Sequence, residues 1–250
     1  MHGDPVAPAR RDVLRWGLLA GAAPLLTSGH AVAAPARQRT EVLGHSVQGR
    51  PLSALVLGAD GSSRTALVVG CIHGSETAGI DIVRRLERLA PAADTQLWLV
   101  RSVNPDGALR HTRQNARGVD LNRNFPAGWH PDGVRGGTYY PGTGPLSEPE
   151  SQAVATVLRR VRPDLTFWYH QHLDLVDLSG GDPGVSRRYA RRTSLPAVQL
   201  QRYGGSVATW QNTVFPAATS VVVELPARVT AAMVATHAGA VQAACRDLAA

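Results

Sequence analysis

A histidine and a glutamate follow one apolar segment of this chain and could bind a metal ion together. His73 and Glu76 lie three residues apart in VVGCIHGSETAG, directly after a run typical of a buried strand. An imidazole nitrogen and a carboxylate oxygen are both good ligands for Zn²⁺. The same spacing also occurs in ordinary polar loops, so this pair alone is weak evidence of a metal site.

Further side chains of the same kind end two other apolar segments. His170 and His172 follow DLTFWY, and Glu224 lies in TSVVVEL. Proteins with an α/β sheet bind small molecules and ions at the carboxyl ends of the strands. We therefore expect these side chains to lie at the same edge of the sheet as His73 and Glu76. A charge at the end of an apolar strand is costly without a partner or a function. Glu224 is therefore a catalytic candidate, with a structural ion pair to an arginine as the alternative.

A long polar segment, residues 104–126, reads NPDGALRHTRQNARGVDLNRNFP. It is poor material for a core or a helix, and polar loops of this length are usually functional or disordered. Val119, Leu121 and Phe125 provide apolar anchors. These anchors favour an ordered, functional loop.

Strand-like and helix-like segments alternate along the chain. The predicted strands are residues 52–58, 65–72, 96–103, 164–170 and 219–225. The predicted helices are residues 79–90, residues 147–161 with a capping box formed by Ser147 and Glu150, and residues 230–249. This alternation predicts an α/β domain with a parallel or mixed sheet.

The composition is that of a globular protein with a basic balance. The 250 residues carry a formal net charge of +7, and all 26 basic residues are arginines. The arginines are scattered, with few aromatic residues between them, so we expect no nucleic-acid partner. The two cysteines, Cys71 and Cys245, are expected to be buried thiols, although the sequence does not exclude that they meet.

Residues 1–33 have the pattern of an export signal. Arg10 and Arg11 precede a mostly apolar stretch over residues 16–26, and Ala-Val-Ala at 31–33 matches a cleavage site. Adjacent arginines followed by DVLR are typical of a twin-arginine signal. The apolar stretch is too short and too interrupted for a membrane span. We therefore predict an exported protein with no transmembrane segment in its mature chain.

The series HGSE, NPDG, TRQNARGVDLNRNFP, WYHQH and VVVELP resembles the zinc carboxypeptidase family, the M14 peptidases, along residues 41–245. Within that family it is most similar to the bacterial murein-peptide amidase branch, which cleaves γ-D-glutamyl–diaminopimelate bonds. The resemblance implies a single domain over residues 41–250, with a mixed, largely parallel sheet and helices on both faces.

The resemblance also implies a metal site and its surroundings. One Zn²⁺ per chain would be held by His73, Glu76 and His170, with His172 left as a pocket residue. Asp120 matches the position that accepts a hydrogen bond from the first histidine ligand, which fixes the ring. Glu224 matches the general base and acid.

Three residues of the polar segment match positions that hold substrate. Arg113 corresponds to the arginine that stabilises the oxyanion, and Asn122 with Arg123 to the pair that binds a free carboxylate. Tyr203 is displaced from the place of the family's mobile tyrosine, so whether it has a catalytic role stays open. Trp210 could line the pocket or simply pack.

The sequence thus favours an exported, monomeric zinc metallocarboxypeptidase. Its substrate would be a peptide, including peptidoglycan fragments, cut next to a free carboxylate. An alternative is a zinc deacylase of N-acyl amino acids, which shares the H-G-x-E and D-L-N-R-x-F patterns. A third hypothesis is a non-enzymatic module that binds the cell wall.

Overall fold

The computed structural model describes residues 1–3 and 37–248. The chain divides into one unit over Met1–Ala34 and another over Pro35–Ala250, and the described strands and helices all belong to the second unit. The predicted export signal, residues 1–33, lies outside the described residues except for its first three.

An eight-stranded sheet forms the centre of the second unit. Its strands are β1 (Gln38–His45), β2 (Pro51–Leu57), β3 (Arg64–Val69), β4 (Thr95–Val100), β5 (Leu165–Gln171), β6 (Leu175–Asp177), β7 (Ala197–Val198) and β8 (Thr219–Leu225). Their spatial order is β1-β2-β4-β3-β5-β8-β6-β7.

The middle of the sheet is parallel and its flanks contain the antiparallel pairs. Strands β4, β3, β5 and β8 pair in parallel. Strands β1 and β2, β2 and β4, and β6 and β8 pair antiparallel. The prediction of a mixed, largely parallel sheet is confirmed. The carboxyl ends of the parallel strands therefore open at one edge, as the site requires.

Helices cover both faces of this sheet. The described residues form the helices α1 (Ala78–Leu86), α2 (Pro105–Arg110), α3 (Pro149–Val161), α4 (Pro183–Thr193), α5 (Val207–Val214) and α6 (Ala231–Asp247). Helices α1, α4 and α6 share one apolar cluster with the sheet, and α3 and α5 share the other. None of the described helices has both the length and the apolar character needed to cross a membrane.

The sequence pattern predicted the strands β2, β3, β4, β5 and β8 and the helices α1, α3 and α6, and it missed β1, α4 and α5 as well as the shortest elements. All five predicted strands are present, but two of them end three residues earlier than predicted, at Val69 and Val100. Strands β6 and β7, of three and two residues, are too short for a periodic signal. The prediction that the polar segment is poor helix material is wrong for its first residues, which form α2. Asn104 caps this helix through its side chain and Pro105 occupies its first turn.

The predicted capping box at the start of α3 is wrong. The N-cap is Glu148, which makes no side-chain cap bond. The carboxylate of Glu150 instead accepts hydrogen bonds from the backbone N–H of Val47 at 2.9 Å and from Asn115 Nδ2 at 3.1 Å. Ser147 donates its hydroxyl to Glu148. The buried carboxylate is thus used to join distant segments, which local sequence spacing does not reveal.

Both cysteines are buried free thiols, as expected. Burial raises the pKa of Cys71 and of Cys245 to about 12. The two residues therefore serve the packing of the fold as small protonated side chains.

Three buried polar side chains are joined by hydrogen bonds between the sheet and the helices α4 and α6. The hydroxyls of Tyr169 and Tyr189 lie 2.7 Å apart, and the Tyr189 hydroxyl lies 2.7 Å from His237 Nδ1. His237 is 1 % exposed. Burial lowers its pKa to about 4, so the ring is neutral in the folded protein at neutral pH.

This histidine predicts a loss of stability in mild acid. Between pH 6.5 and about 4 the unfolded chain binds a proton at His237 and the folded chain does not, so the free energy of unfolding falls as pH is lowered. The loss is at most roughly 3 kcal/mol. Urea unfolding across this range should give a shallower pH dependence for His237→Gln than for the wild type. The exposed His45 provides the control, because His45→Gln should leave the dependence unchanged; equal slopes for all three proteins would contradict the prediction.

Candidate metal centre

Three residues from two parallel strands converge at the carboxyl edge of the sheet. His73 and Glu76 lie in the loop between β3 and α1, and His170 lies near the end of β5, the neighbour of β3. All three are between 2 % and 9 % exposed. They form the one cluster of metal-ligating side chains within the described part of the chain.

The geometry of this cluster fits a single Zn²⁺. His73 Nδ1 lies 2.8 Å from Glu76 Oε2, and His170 Nδ1 lies 3.0 Å from the same oxygen and 3.2 Å from His73 Nδ1. Ligand atoms of a tetrahedral zinc site, each about 2.0–2.1 Å from the ion, are separated by roughly 3.3 Å. Three lone-pair donors at this spacing are suited to bind one cation between them. The donor set of two imidazoles and one carboxylate suits zinc and leaves a fourth position open.

His170, and not His172, completes this cluster. His172 is exposed and lines the adjoining cleft. The resemblance implied His170 as the third ligand, and the geometry agrees.

Asp120 orients the first histidine. His73 Nε2 lies 3.1 Å from Asp120 Oδ1, so the Nε2–H donates there and the Nδ1 lone pair faces the metal position. Burial raises the pKa of Asp120, but the neighbouring His73 and Arg113 outweigh this effect and lower it to about 2. The carboxylate is therefore charged and also caps the following turn, where it accepts from Asn122 N at 2.9 Å.

Arg113 joins the metal ligand to that carboxylate. Its Nη1 donates to Glu76 Oε1 at 3.0 Å, and its Nε donates to Asp120 Oδ2 at 3.0 Å. The side chain also lines the cleft. The sequence indicated a role toward substrate, and the structure adds that Arg113 holds two buried carboxylates in place.

Asn122 and Arg123 lie side by side on the cleft wall. Asn122 Oδ1 accepts from Val207 N at 3.0 Å at the start of α5, so the amide NH₂ of the same side chain is available as a donor. The Arg123 guanidinium lies over two exposed rings, 5.2 Å from the centroid of Tyr139 and 4.7 Å from that of Tyr203. These two cation–π contacts and a hydrogen bond from Nη1 to Asn122 O at 2.7 Å hold the cation in place. Its Nε and Nη2 make no hydrogen bond within the described residues.

Glu224 lies on β8, the strand next to the one that carries the metal ligand His170. It pairs in register with His170 across β5 and β8. Its Oε2 is buried and has no hydrogen-bond partner among the described residues. Burial raises the pKa of this carboxyl above its usual value. Within the described residues no arginine lies at ion-pair distance from it, and the nearby Arg113 pairs with Glu76 and Asp120 instead.

Gln171 is a site residue that the sequence reasoning missed. Its backbone N–H donates to Glu76 Oε2 at 3.3 Å, its Oε1 accepts from Ala78 N at 3.0 Å, and its Nε2 donates to Pro226 O at 3.1 Å. It thereby connects α1, β5 and the segment after Glu224. Its position directly after the ligand His170 was the available signal.

The centre opens into a cleft of about 580 Å³. The cleft contains every predicted catalytic, binding and metal residue except the buried Asp120. It also contains residues that the sequence did not single out, among them Tyr139, Asp177, Arg202 and Ser220. Trp210 does not line it, since this ring is buried against Phe125 and Phe215.

Comparison with known proteins agrees with this fold and centre. The family model described as zinc carboxypeptidase matches residues 29–176. Murein peptide amidase A of Escherichia coli (strain K12) is 31% identical over 188 residues, covering 68% of this chain and 75% of the relative. The enzyme of the same name from Vibrio campbellii is 32% identical over 185 residues, covering 68% and 73%.

Solved structures give the same result. The murein-tripeptide amidase MpaA from Escherichia coli O157 superposes with a TM-score of 0.69 at 26% identity, over 85% of this chain and 98% of that one. Carboxypeptidase A from Helicoverpa armigera shares the fold, with a TM-score of 0.69 at 17% identity over 84% and 68%.

The fold and the centre define an α/β metallohydrolase. This chain belongs to the zinc carboxypeptidase family, the M14 peptidases, and is a metallopeptidase. Membership of a hydrolase family, together with a complete set of donors, argues against a non-enzymatic binding module.

The ligand loop depends on a glycine beside His73. A Cβ on Gly74 would lie 2.0 Å from the carbonyl carbon of Gly107 in α2. Gly74→Ala must therefore displace backbone at the metal ligands, and we expect zinc affinity to fall about 10- to 100-fold, as when a supporting contact of a ligand is lost. Competition with a zinc chelator measures this. Gly144→Ala, where a Cβ meets nothing within 4 Å, is the matched control, and unchanged affinity in Gly74→Ala would refute the dependence.

Proposed function

We propose that this chain is an exported zinc carboxypeptidase that hydrolyses the amide bond next to a free carboxylate in cell-wall peptides. The observation that carries the proposal is the half-buried Glu224, whose Oε2 has no hydrogen-bond partner among the described residues, on the strand next to His170 and in a cleft that also holds Asn122 and Arg123.

The metal ligands would be His73, Glu76 and His170. A Zn²⁺ held there supplies a Lewis acid that polarises a carbonyl and acidifies a water. The remaining steps fall to side chains of the protein.

Glu224 would act as general base and then as general acid. Its Oε2 is buried and has no donor among the described residues, so this oxygen is free to take a proton from the attacking water. The same group can then donate that proton to the departing amine. Its raised pKa supports the second of these steps, because a carboxyl that holds a proton more firmly is better matched to transfer it.

The arginines and the asparagine would hold the substrate. A carboxylate matches the planar edge of a guanidinium, and Nε and Nη2 of Arg123 make no hydrogen bond within the described residues. The amide NH₂ of Asn122 can add a further hydrogen bond. Arg113, held beside Glu76, would place positive charge where the oxyanion develops.

The cell-wall substrate rests on the relatives and on the predicted signal. The relatives from Escherichia coli and Vibrio campbellii are named murein peptide amidases, and murein lies outside the cytoplasmic membrane. We propose that residues 1–33 form a twin-arginine signal, that residues 41–250 form the catalytic domain, and that the enzyme acts as a monomer outside the membrane or in the cell wall. A deacylase of N-acyl amino acids is the competing activity, because such a substrate also presents an amide beside a carboxylate.

A substrate panel tests the proposed activity. Purified mature protein should contain about one zinc per chain by elemental analysis and release diaminopimelate from L-Ala-γ-D-Glu-diaminopimelate in a chelator-sensitive reaction. The control substrates are an ordinary α-linked peptide and an N-acyl amino acid. Faster hydrolysis of the N-acyl amino acid would show that the enzyme is a deacylase and contradict the peptidase activity. Cleavage of the α-linked peptide alone would contradict the proposed cell-wall substrate.

Substitution of Glu224 separates metal binding from chemistry. Glu224→Gln keeps the size of the side chain and removes its ability to take a proton, so we expect kcat to fall by at least about 100-fold. Zinc content should not change, because Glu224 is not one of the ligands. Elemental analysis and steady-state kinetics on the same sample check both points; normal turnover would exclude the proposed role.

A further inference from the structure

The cleft contains an anion and a cation held on opposite sides of one serine. The carboxylate of Asp177 accepts hydrogen bonds from the backbone N–H of Ser179 at 2.8 Å and from its hydroxyl. Arg202 Nε donates to Ser179 O at 2.6 Å. All three residues line the cleft. Their opposite charges are thus fixed close together without contacting each other as an ion pair.

Neither charge is neutralised by the described chain. Among residues 37–248, no arginine or histidine lies within ion-pair distance of Asp177, and no carboxylate within that distance of Arg202. The hydrogen bonds of Asp177 come from Ser179 and from the backbone N–H of Leu200. Toward residues 37–248 Arg202 uses only Nε, which leaves its two terminal nitrogens without a partner there.

The register of the sheet gives the distance from these charges to the reaction centre. Leu175 pairs with Glu224 and Val176 with Val223, so the antiparallel ladder places Asp177 beside Val222. With a rise of about 3.4 Å per residue and strands about 4.8 Å apart, the Cα atoms of Asp177 and Glu224 are separated by about 8 Å. Asp177 therefore lies deeper in the same cleft, one strand away.

An unused hydroxyl lies at the same depth. Ser220 is 3 % exposed, and its Oγ has no hydrogen-bond partner within the described residues. Ser220, Val222 and Glu224 alternate onto one face of β8, and all three line the cleft. Asn212 fixes Ser220 in place, accepting from its N–H at 2.9 Å and donating to its carbonyl at 3.3 Å. The floor of the cleft is therefore built for a polar group.

We propose that Asp177 and Arg202 form a subsite for the distal end of the released residue, an end that carries both an ammonium and a carboxylate. The ammonium would bind Asp177 and the carboxylate would bind the terminal nitrogens of Arg202. In diaminopimelate four carbon–carbon bonds separate the two amino-acid carbons, about 5 Å when extended. That length covers most of the two-residue rise, about 7 Å, that separates the level of Glu224 from that of Asp177. The inference rests on the proposed function and specifies the side chain that this site selects.

Three peptides that differ only at the distal end test the subsite. They are L-Ala-γ-D-Glu linked to diaminopimelate, to lysine, which lacks the distal carboxylate, and to 2-aminopimelate, which lacks the distal amine. The zinc-loaded wild type should prefer the diaminopimelate peptide by about 10- to 100-fold in kcat/KM, the effect of one charge-assisted hydrogen bond.

Two variants assign the two charges. Arg202→Gln should lower kcat/KM for the diaminopimelate and 2-aminopimelate peptides and leave the lysine peptide unchanged, and Arg202→Lys should recover part of the loss. Asp177→Asn should lower kcat/KM for the two peptides that carry a distal amine and spare 2-aminopimelate. The exposed Arg191 lies on α4 outside the cleft, so Arg191→Gln makes the same charge change as a control. Thermal midpoints and zinc contents show whether each variant is folded.

The outcomes distinguish this inference from the function on which it rests. Equal rates of the wild type on all three peptides would overturn the subsite and leave the proposed function standing. An equal loss on all three peptides in Arg202→Gln would show a general effect and also overturn it. If the wild type cleaves none of them, the proposed function and the subsite are both wrong.

Discussion

The close approach of three lone-pair donors is the constraint on which the rest of this structure depends. Two imidazole nitrogens and a carboxylate oxygen lie about 3 Å apart in a buried position, and such groups do not gather there unaided. The fold maintains this arrangement by several means at once. Parallel pairing of β3 and β5 brings the strand ends together, while Asp120 and Arg113 supply the compensating hydrogen bonds and charge.

The supporting contacts come from segments that are distant in sequence. Gln171 connects the start of α1 and the end of β8 to the carboxylate of Glu76. Gly74 allows the ligand loop to pack directly on Gly107 of the polar segment. The metal ligands and the substrate-facing segment are therefore parts of one rigid support, which favours a preorganised centre.

The sequence predicted those features that depend on residue type at short range. The apolar runs of β3, β5 and β8 and the helical spacing of α1 identified the layered α/β fold, and the resemblance located the three ligands. Tyr139, Asp177 and Arg202 could not be found in this way. Each comes from a loop or a very short strand, and its place in the cleft depends on sheet pairing and loop packing rather than on any periodic pattern.

The two tyrosines beside Arg123 have a consequence for the shape of what can enter. Both rings lie within cation–π distance of the guanidinium, and its Nη1 is already taken by Asn122 O, so a ligand has few directions left from which to approach it. A flat carboxylate can meet Nε and Nη2 with both oxygens in the plane of the group. A tetrahedral anion, such as phosphate or sulfate, carries oxygens outside that plane, where neighbouring rings compete for the space. The cleft thus favours thin anions over thick ones of the same charge.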